Sequence, residues 1–181
     1  MNVSETSLPG VLVITPKVFR DERGFFLESY NERRMADMGI RERFVQDNHS
    51  CSSQNVLRGL HYQIQHPQGK LVRVVAGEIF DVAVDLRTKS TAFGRWHGVT
   101  LSADNKQMLW VPPGLAHGFY VLSSNAEVLY KTTDFYYPEF ERTLAWNDPD
   151  LSIAWQLKGE PIVSAKDALG VTFKDAEKFE S

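Results

Sequence analysis

At 181 residues, with 43% hydrophobic and 12% aromatic side chains, the chain suits a single globular domain over residues 1–181 that buries roughly 70% of its unfolded surface. A net charge of −3 without Lys/Arg runs argues against nucleic-acid and membrane-surface partners. The lone Cys51 allows no internal disulfide, and the early apolar run Val11–Ile14 is too short for a signal segment or a spanning helix, so a cytoplasmic location is expected.

In chain order, residues 1–15 read as an extended N-terminal arm suited to pairing with another subunit. Arg23-Gly24 reads as a turn before Phe25-Phe-Leu-Glu28, or as an arginine clamp for a diphosphate. A helix is predicted over Glu32–Met38, with Asn31 as N-cap and Gly39 as the stop. Strand-like runs follow at Leu57–Tyr62, Leu71–Ala76, Glu78–Leu86, Trp96–Leu101, Gln107–Val111, Gly118–Leu122 and Glu127–Thr133. Gly77, Gly94, Asp104-Asn105, Pro112-Pro-Gly114 and Ser123-Ser-Asn125 punctuate them. Closely spaced strands without intervening helices predict an all-β sandwich or barrel. A second short helix starts near Ser164, where Ser164-Ala-Lys-Asp167 fits a capping box, and residues 168–181 read as an exposed tail or helix.

Leu57-Arg-Gly-Leu-His-Tyr-Gln63, with Gly69-Lys70 and Pro112-Pro-Gly-Leu-Ala-His117, looks like a cupin barrel motif whose first half has lost its metal ligands. A metal-binding cupin carries H-x-H and then a Glu seven residues before a Gly. Here His61 keeps the first slot, Gln63 stands in the second, and Lys70 lies seven before Gly77. An ammonium does not ligate a metal and repels one placed beside it. The expected architecture is therefore a cupin-like jelly roll, a double-stranded β-helix barrel with a few short helices, holding a fixed cation where relatives hold a metal.

Each candidate residue also has a plainer reading. His61 is a general base or a backbone-bonded half-buried histidine. Asp167 orients that base or caps a helix. Lys70 stabilises an enolate oxygen or is a solvated strand end, and Asp81 with Asp85 would hold it. Tyr130 is a general acid or a barrel-lining tyrosine, and His117 a site residue or one that closes a turn. Phe135-Tyr-Tyr137 offers a base-stacking face or ordinary packing. Strict alternation puts Arg58 and His61 on opposite faces of a strand, so both can line one pocket only through a bulge, predicted at Gly59.

Taken together these segments resemble the dTDP-4-dehydrorhamnose 3,5-epimerase family. The likeness rests on Asp21–Glu28, Gln46–Ser50, Leu57–Gln63, Gly69–Arg73, Phe80–Arg87, Val111–Phe119, Tyr130–Asp134, Trp146–Pro149 and Ser164–Asp167, in order from about residue 8 to residue 168. The resemblance implies a cofactor-free homodimeric cupin acting on a dTDP-sugar, with His61 as proton acceptor, Asp167 orienting it, Tyr130 as proton donor and Lys70 beside the ketone oxygen. It further implies substrate contacts from Arg23, Glu28, Gln46, Asp47, Asn48, Arg58, His117, Glu141 and Lys166, stacking of Tyr136 on the thymine, and an Arg23 segment supplied by the partner subunit. The rival readings are a single-centre epimerase of another deoxysugar pathway, a non-catalytic sugar-nucleotide module, and a metal-dependent cupin dioxygenase, against which Gln63 and Lys70 stand.

Overall fold

Short β-branched and aromatic runs, ended by glycine, proline and Asx turns, fold as thirteen strands in the computed structural model, which describes residues 1–181. They are β1 (Asn2–Glu5), β2 (Leu12–Thr15), β3 (Val18–Asp21), β4 (Gly24–Leu27), β5 (Gln46–Ser53), β6 (Leu57–Gln63), β7 (Lys70–Ala76), β8 (Glu78–Asp85), β9 (Trp96–Ser102), β10 (Met108–Val111), β11 (Leu115–Val121), β12 (Asn125–Thr132) and β13 (Glu141–Thr143). One α-helix, α1 (Glu32–Asp37), and 3-10 turns at Pro138–Phe140 and Asp167–Leu169 complete the elements. No helix is long and apolar enough to cross a membrane.

Six strands in the order β1-β2-β10-β7-β12-β5 pack against five in the order β13-β6-β11-β8-β9, and every paired strand is antiparallel. This is a cupin-like jelly roll, in line with the turn-punctuated pattern. Alternation sorts the side chains. From β8, Ile79 and Ala83 point inward with Val72, Val74, Leu109, Phe119 and Val128, while Phe80, Val82 and Val84 point outward. A second core covers that outer face, where Leu144, Leu151, Trp155 and Ala176 pack on β6, β8 and β11. A third places Met35 of α1 and Ile40 against Leu71, Met108 and Trp110. The hairpin β3–β4 belongs to neither large sheet and leaves Phe19, Phe25 and Phe26 exposed.

The expected helix forms, with Asn31 Oδ1 accepting the Arg34 N–H at 3.2 Å and Gly39 taking a left-handed φ of 91° after its end. The first fifteen residues are largely extended, and within this chain β1 folds back on β2, which joins β10. The charged tail is no exposed helix. It docks as an extended strap, with Phe179 N–H donating to Leu86 O at 3.0 Å, Thr88 N–H donating to Phe179 O at 2.8 Å, and Ala176 buried.

The bulge falls at Gly59. His117 pairs with His61 but Phe119 pairs with Arg58, so β6 carries one residue more than β11 across that step. The extra residue resets the alternation, and Leu57, Leu60 and Tyr62 all enter the outer core while His61 and Gln63 reach the barrel interior. Gly59 adopts φ 112°, and a Cβ there would stand 2.7 Å from Gly118 Cα and 2.8 Å from His117 O. Both neighbours are backbone and cannot swing aside. Gly59→Ala is therefore expected to cost about 3 kcal/mol from strain and overpacking. Thermal unfolding should fall by roughly 6–12 °C, and an unchanged melting temperature would contradict the close packing.

Candidate active site

A cavity of about 270 Å³ opens at one end of the barrel interior. Gln46 and Asn48 of β5, His61, Tyr62 and Gln63 of β6, Lys70 of β7, Tyr130 of β12 and Glu141 of β13 line it, with Gln68 and Tyr136 from the connecting segments. The register explains this gathering. Tyr130 stands opposite Asn48 on one side and Val72 on the other, Thr143 faces His61, and Glu141 faces Gln63.

His61 Nε2 lies 2.6 Å from Asp167 Oδ1, and Asp167 is 3% exposed. The second oxygen of Asp167 accepts the Gly59 N–H at 3.2 Å, so the bulge also anchors the carboxylate. Burial pulls the Asp167 pKa upward, but the hydrogen bond and charge of His61, the Gly59 N–H and nearby Lys166 outweigh it and hold the group below the ordinary aspartate value. An ionised carboxylate only accepts, so the Nε2 proton of His61 belongs to this bond and Nδ1 keeps the free lone pair. The capping reading of Asp167 also holds in part, since Ser164 Oγ accepts the Asp167 N–H at 3.1 Å. Its carboxylate is nevertheless spent on His61 and Gly59.

Lys70 is 8% exposed, and its ammonium donates to His61 O at 3.2 Å. Burial drives its pKa down to about 8, against the opposing pull of the Glu141 and Asp81 charges. The expected pairing of Lys70 with Asp81 and Asp85 needs correction. Asp85 is clamped by Arg87 Nη2 at 2.7 Å and Ser90 Oγ at 2.6 Å. Asp81 Oδ1 instead meets His117 Nε2 at 2.8 Å, forming a second buried His–Asp pair, and reaches Lys70 only through its charge. The side chain of His117 is therefore occupied behind the cavity and does not line it.

Burial raises the Tyr130 pKa and Glu141 adds to the rise, with the Arg58 charge opposing, so the phenol stays protonated at neutral pH. Glu141 Oε1 accepts from Lys166 Nζ at 2.9 Å and Oε2 from Tyr136 Oη at 2.8 Å. Burial works to raise its pKa, yet these two bonds and the charges of His61 and Lys166 hold it low. Gln46 Nε2 donates to Asn48 Oδ1 at 2.9 Å, beside the mouth.

Other expected site residues stand apart from the lining. Asp47 is paired with Lys131 at 2.8 Å on the exposed side of β5. Arg58 donates to Ser52 Oγ at 3.0 Å and touches the site through its charge on Tyr130. Arg23 is paired with Asp21 at the exposed tip of β3–β4, and Glu28 lies with Arg34 and Asn31. None of these four lines the cavity of this chain. Three lining residues, Tyr62, Gln63 and Gln68, were not among the expected binding residues. The i, i+2 spacing of His61 and Gln63 on one strand was the available signal for Gln63.

No group of three or more His, Cys, Asp or Glu side chains gathers with metal-ligand geometry. Both ends of the Gln63 amide are taken up by backbone partners, and Lys70 brings a positive charge to the remaining ligand slot.

The protein family described as dTDP-4-dehydrorhamnose 3,5-epimerase matches residues 5–175. The chain belongs to the dTDP-4-dehydrorhamnose 3,5-epimerase family. It is 56% identical over 180 residues to the dTDP-4-dehydrorhamnose 3,5-epimerase of Pseudomonas aeruginosa, covering 99% of both chains. Among solved structures, the dTDP-6-deoxy-D-glucose-3,5-epimerase of Legionella pneumophila in complex with dTDP-4-keto-L-rhamnose superposes with a TM-score of 0.95 at 50% identity, over 97% of this chain and 94% of that one. The enzyme of Bacillus anthracis with TDP and pyrophosphate bound gives 0.91 at 42% identity, over 94% and 98%. The isomerase reading of the sequence thus stands.

Proposed function

We propose that the cavity epimerises C3 and C5 of dTDP-4-dehydro-6-deoxy-D-glucose, with His61 as base, Tyr130 as acid and Lys70 as the fixed cation. One observation carries the reading: a histidine ordered at 2.6 Å by a buried carboxylate shares a small cavity with a buried lysine and a protonated tyrosine. A ketone at C4 acidifies the hydrogens on its two neighbours. His61 Nδ1 removes one of them, and negative charge passes to the ketone oxygen. The Lys70 ammonium, held in place before the reaction, stabilises that oxygen without reorganising. Reprotonation from the opposite face inverts the centre, and the Tyr130 phenol is the donor suited to it. Deprotonated Tyr130 then recovers its proton from solvent, and the imidazolium returns its own, so no redox equivalent is consumed.

The remaining groups anchor the nucleotide. Tyr136 at the mouth offers a face for the thymine. Gln46, Asn48, Arg58, Glu141 and Lys166 are assigned to the sugar and diphosphate, with Lys166 and Arg58 supplying positive charge, while His117, bonded to Asp81 behind the cavity, is assigned a supporting place. Arg23, Glu28 and Asp47 fit this scheme across a homodimer. The exposed Phe19, Phe25 and Phe26 of the β3–β4 hairpin give it an apolar face to bury, and Arg23, exposed and held only by its neighbour Asp21, would exchange that pairing for a partner's cavity. These dimer roles are assigned by the same family likeness and by the exposure of the hairpin.

Proton NMR of the substrate with the protein in D2O tests the scheme. Deuterium is expected at both C3 and C5. Label at one carbon alone would mark a single-centre epimerase, and binding without any exchange would reduce the protein to a sugar-nucleotide module.

A further inference from the structure

Gln63 grips the chain on both sides of Tyr136. Its side-chain Nε2 donates to His66 O at 2.7 Å and to Phe135 O at 3.2 Å, while Oε1 accepts the Tyr137 N–H at 2.8 Å. The reversed amide would set its oxygen against two carbonyl oxygens and its NH2 against an N–H, so the network admits one orientation. At 3% exposure, with both amide protons donated, the side chain has no donor left for a ligand in the cavity it borders.

The segment that Gln63 holds has no strand or helix of its own, since residues 133–137 fall between β12 and the 3-10 turn. Beyond the Thr133 N–H, which donates to Gly69 O at 3.0 Å, its backbone groups are held by side chains, among them Thr132 Oγ1 donating to Asp134 O at 2.9 Å and Asp134 Oδ1 accepting the Phe135 N–H at 2.7 Å. Besides the two bonds from Gln63, Gln68 Nε2 donates to Asp134 O at 2.9 Å and Gln46 Oε1 accepts the Tyr136 N–H at 3.2 Å. The His66 ring, stacked on Tyr137 with centroids 4.4 Å apart, completes the clasp. A segment without ladder partners is ordered only as far as such anchors allow. Of them, Gln63 alone fixes the peptide groups both before and after Tyr136.

We infer that Gln63 is a positioning residue for nucleobase recognition: by fixing the Phe135 and Tyr137 peptides it pre-sets the Tyr136 ring and so sets affinity for the thymidine end of the substrate. The slot in which a metal-binding cupin places its second histidine is here used to order a binding loop. The inference rests on the assignment of Tyr136 as the stacking face. The physical gain is preorganisation, because a ring ordered before the ligand arrives loses less freedom on binding.

A double-mutant cycle read by calorimetric titration with dTDP tests it, using the folded full-length protein, Gln63→Leu, Tyr136→Ala and the double variant. Gln63→Leu is expected to weaken dTDP binding about tenfold, and its kcat at saturating substrate to fall less than about threefold. In the Tyr136→Ala background the Gln63 effect is expected to shrink to within about twofold. Gln63→Glu serves as a second variant of nearly the same shape. It keeps the acceptor for Tyr137 N–H but faces two carbonyls with a carboxylate, and it should weaken dTDP binding in the same direction. Unchanged binding in both Gln63 variants, with Tyr136→Ala clearly weakened, would overturn the inference. So would a Gln63 penalty of equal size with and without the Tyr136 ring, which would mark a general structural role. If Tyr136→Ala itself left dTDP affinity unchanged, the stacking assignment would fail first, and the Gln63 inference with it.

Discussion

His61→Ala is expected to cut kcat by about 10²–10⁴-fold, the usual contribution of a placed proton-transfer group, and to remove deuterium exchange at C3 and C5 together. The joint loss is the informative part, because one histidine bonded to one carboxylate is the only base proposed for both carbons. Affinity for dTDP should change little, since the nucleotide contacts are assigned to other residues. The partner variant Asp167→Asn sharpens the test. A carboxamide can present its NH2 to Nε2, which moves the imidazole proton to Nδ1 and silences the base without emptying the site. Substantial exchange at either carbon in His61→Ala would remove that residue from its role.

Lys70→Met should slow the enzyme and stabilise the fold at once. A buried ammonium whose pKa has fallen from 10.5 to about 8 carries a penalty of about 3 kcal/mol on its charged form. Between those two values the unfolded chain holds a proton that the folded chain has released, so stability rises with pH across that window. Below about pH 8 the folded protein bears the full cost of the buried charge. Methionine fills similar space without it, and a gain of about 1–2 kcal/mol in unfolding free energy at pH 7 is expected, less the lost bond to His61 O. Activity should move the other way, by about 10²–10³-fold, as when a preorganised oxyanion donor is removed. In the wild type the same titration should draw kcat/KM down as pH rises through about 8. A Lys70→Met variant that is both active and less stable would show that the lysine is held for packing rather than chemistry.

The framework was legible because strand signals are local. The Val-rich runs of β7 and β8 announced themselves, and Asn31 with Gly39 bracketed α1. Gly59 was legible for a different reason. Two residues wanted in one pocket at odd spacing require a bulge, and a glycine stood between them. What stayed hidden depends on contacts far apart in the chain. Asp85 is claimed locally, by Arg87 and Ser90 two and five positions on, whereas nothing near Asp81 advertised that it would turn to His117, 36 positions away. Gln63 drew notice as a missing metal ligand, whereas its use lies in residues 66, 135 and 137, which only the folded chain brings to it. The docking of the tail was not legible in its charges, because it depends on the backbone of Leu86 and Thr88, which offers it an edge to join.

The pairing of His61 with Asp167 spans 106 positions, and every strand of the barrel precedes the aspartate. A growing polypeptide therefore completes its pocket before it can use it. Until the segment carrying Asp167 emerges and wraps back across the bulge at Gly59, the imidazole is free to turn and to hold its proton on either nitrogen. Proteolytic clipping ahead of residue 167 would take away the carboxylate that orders the base, together with Ala176 and Phe179 of the outer core.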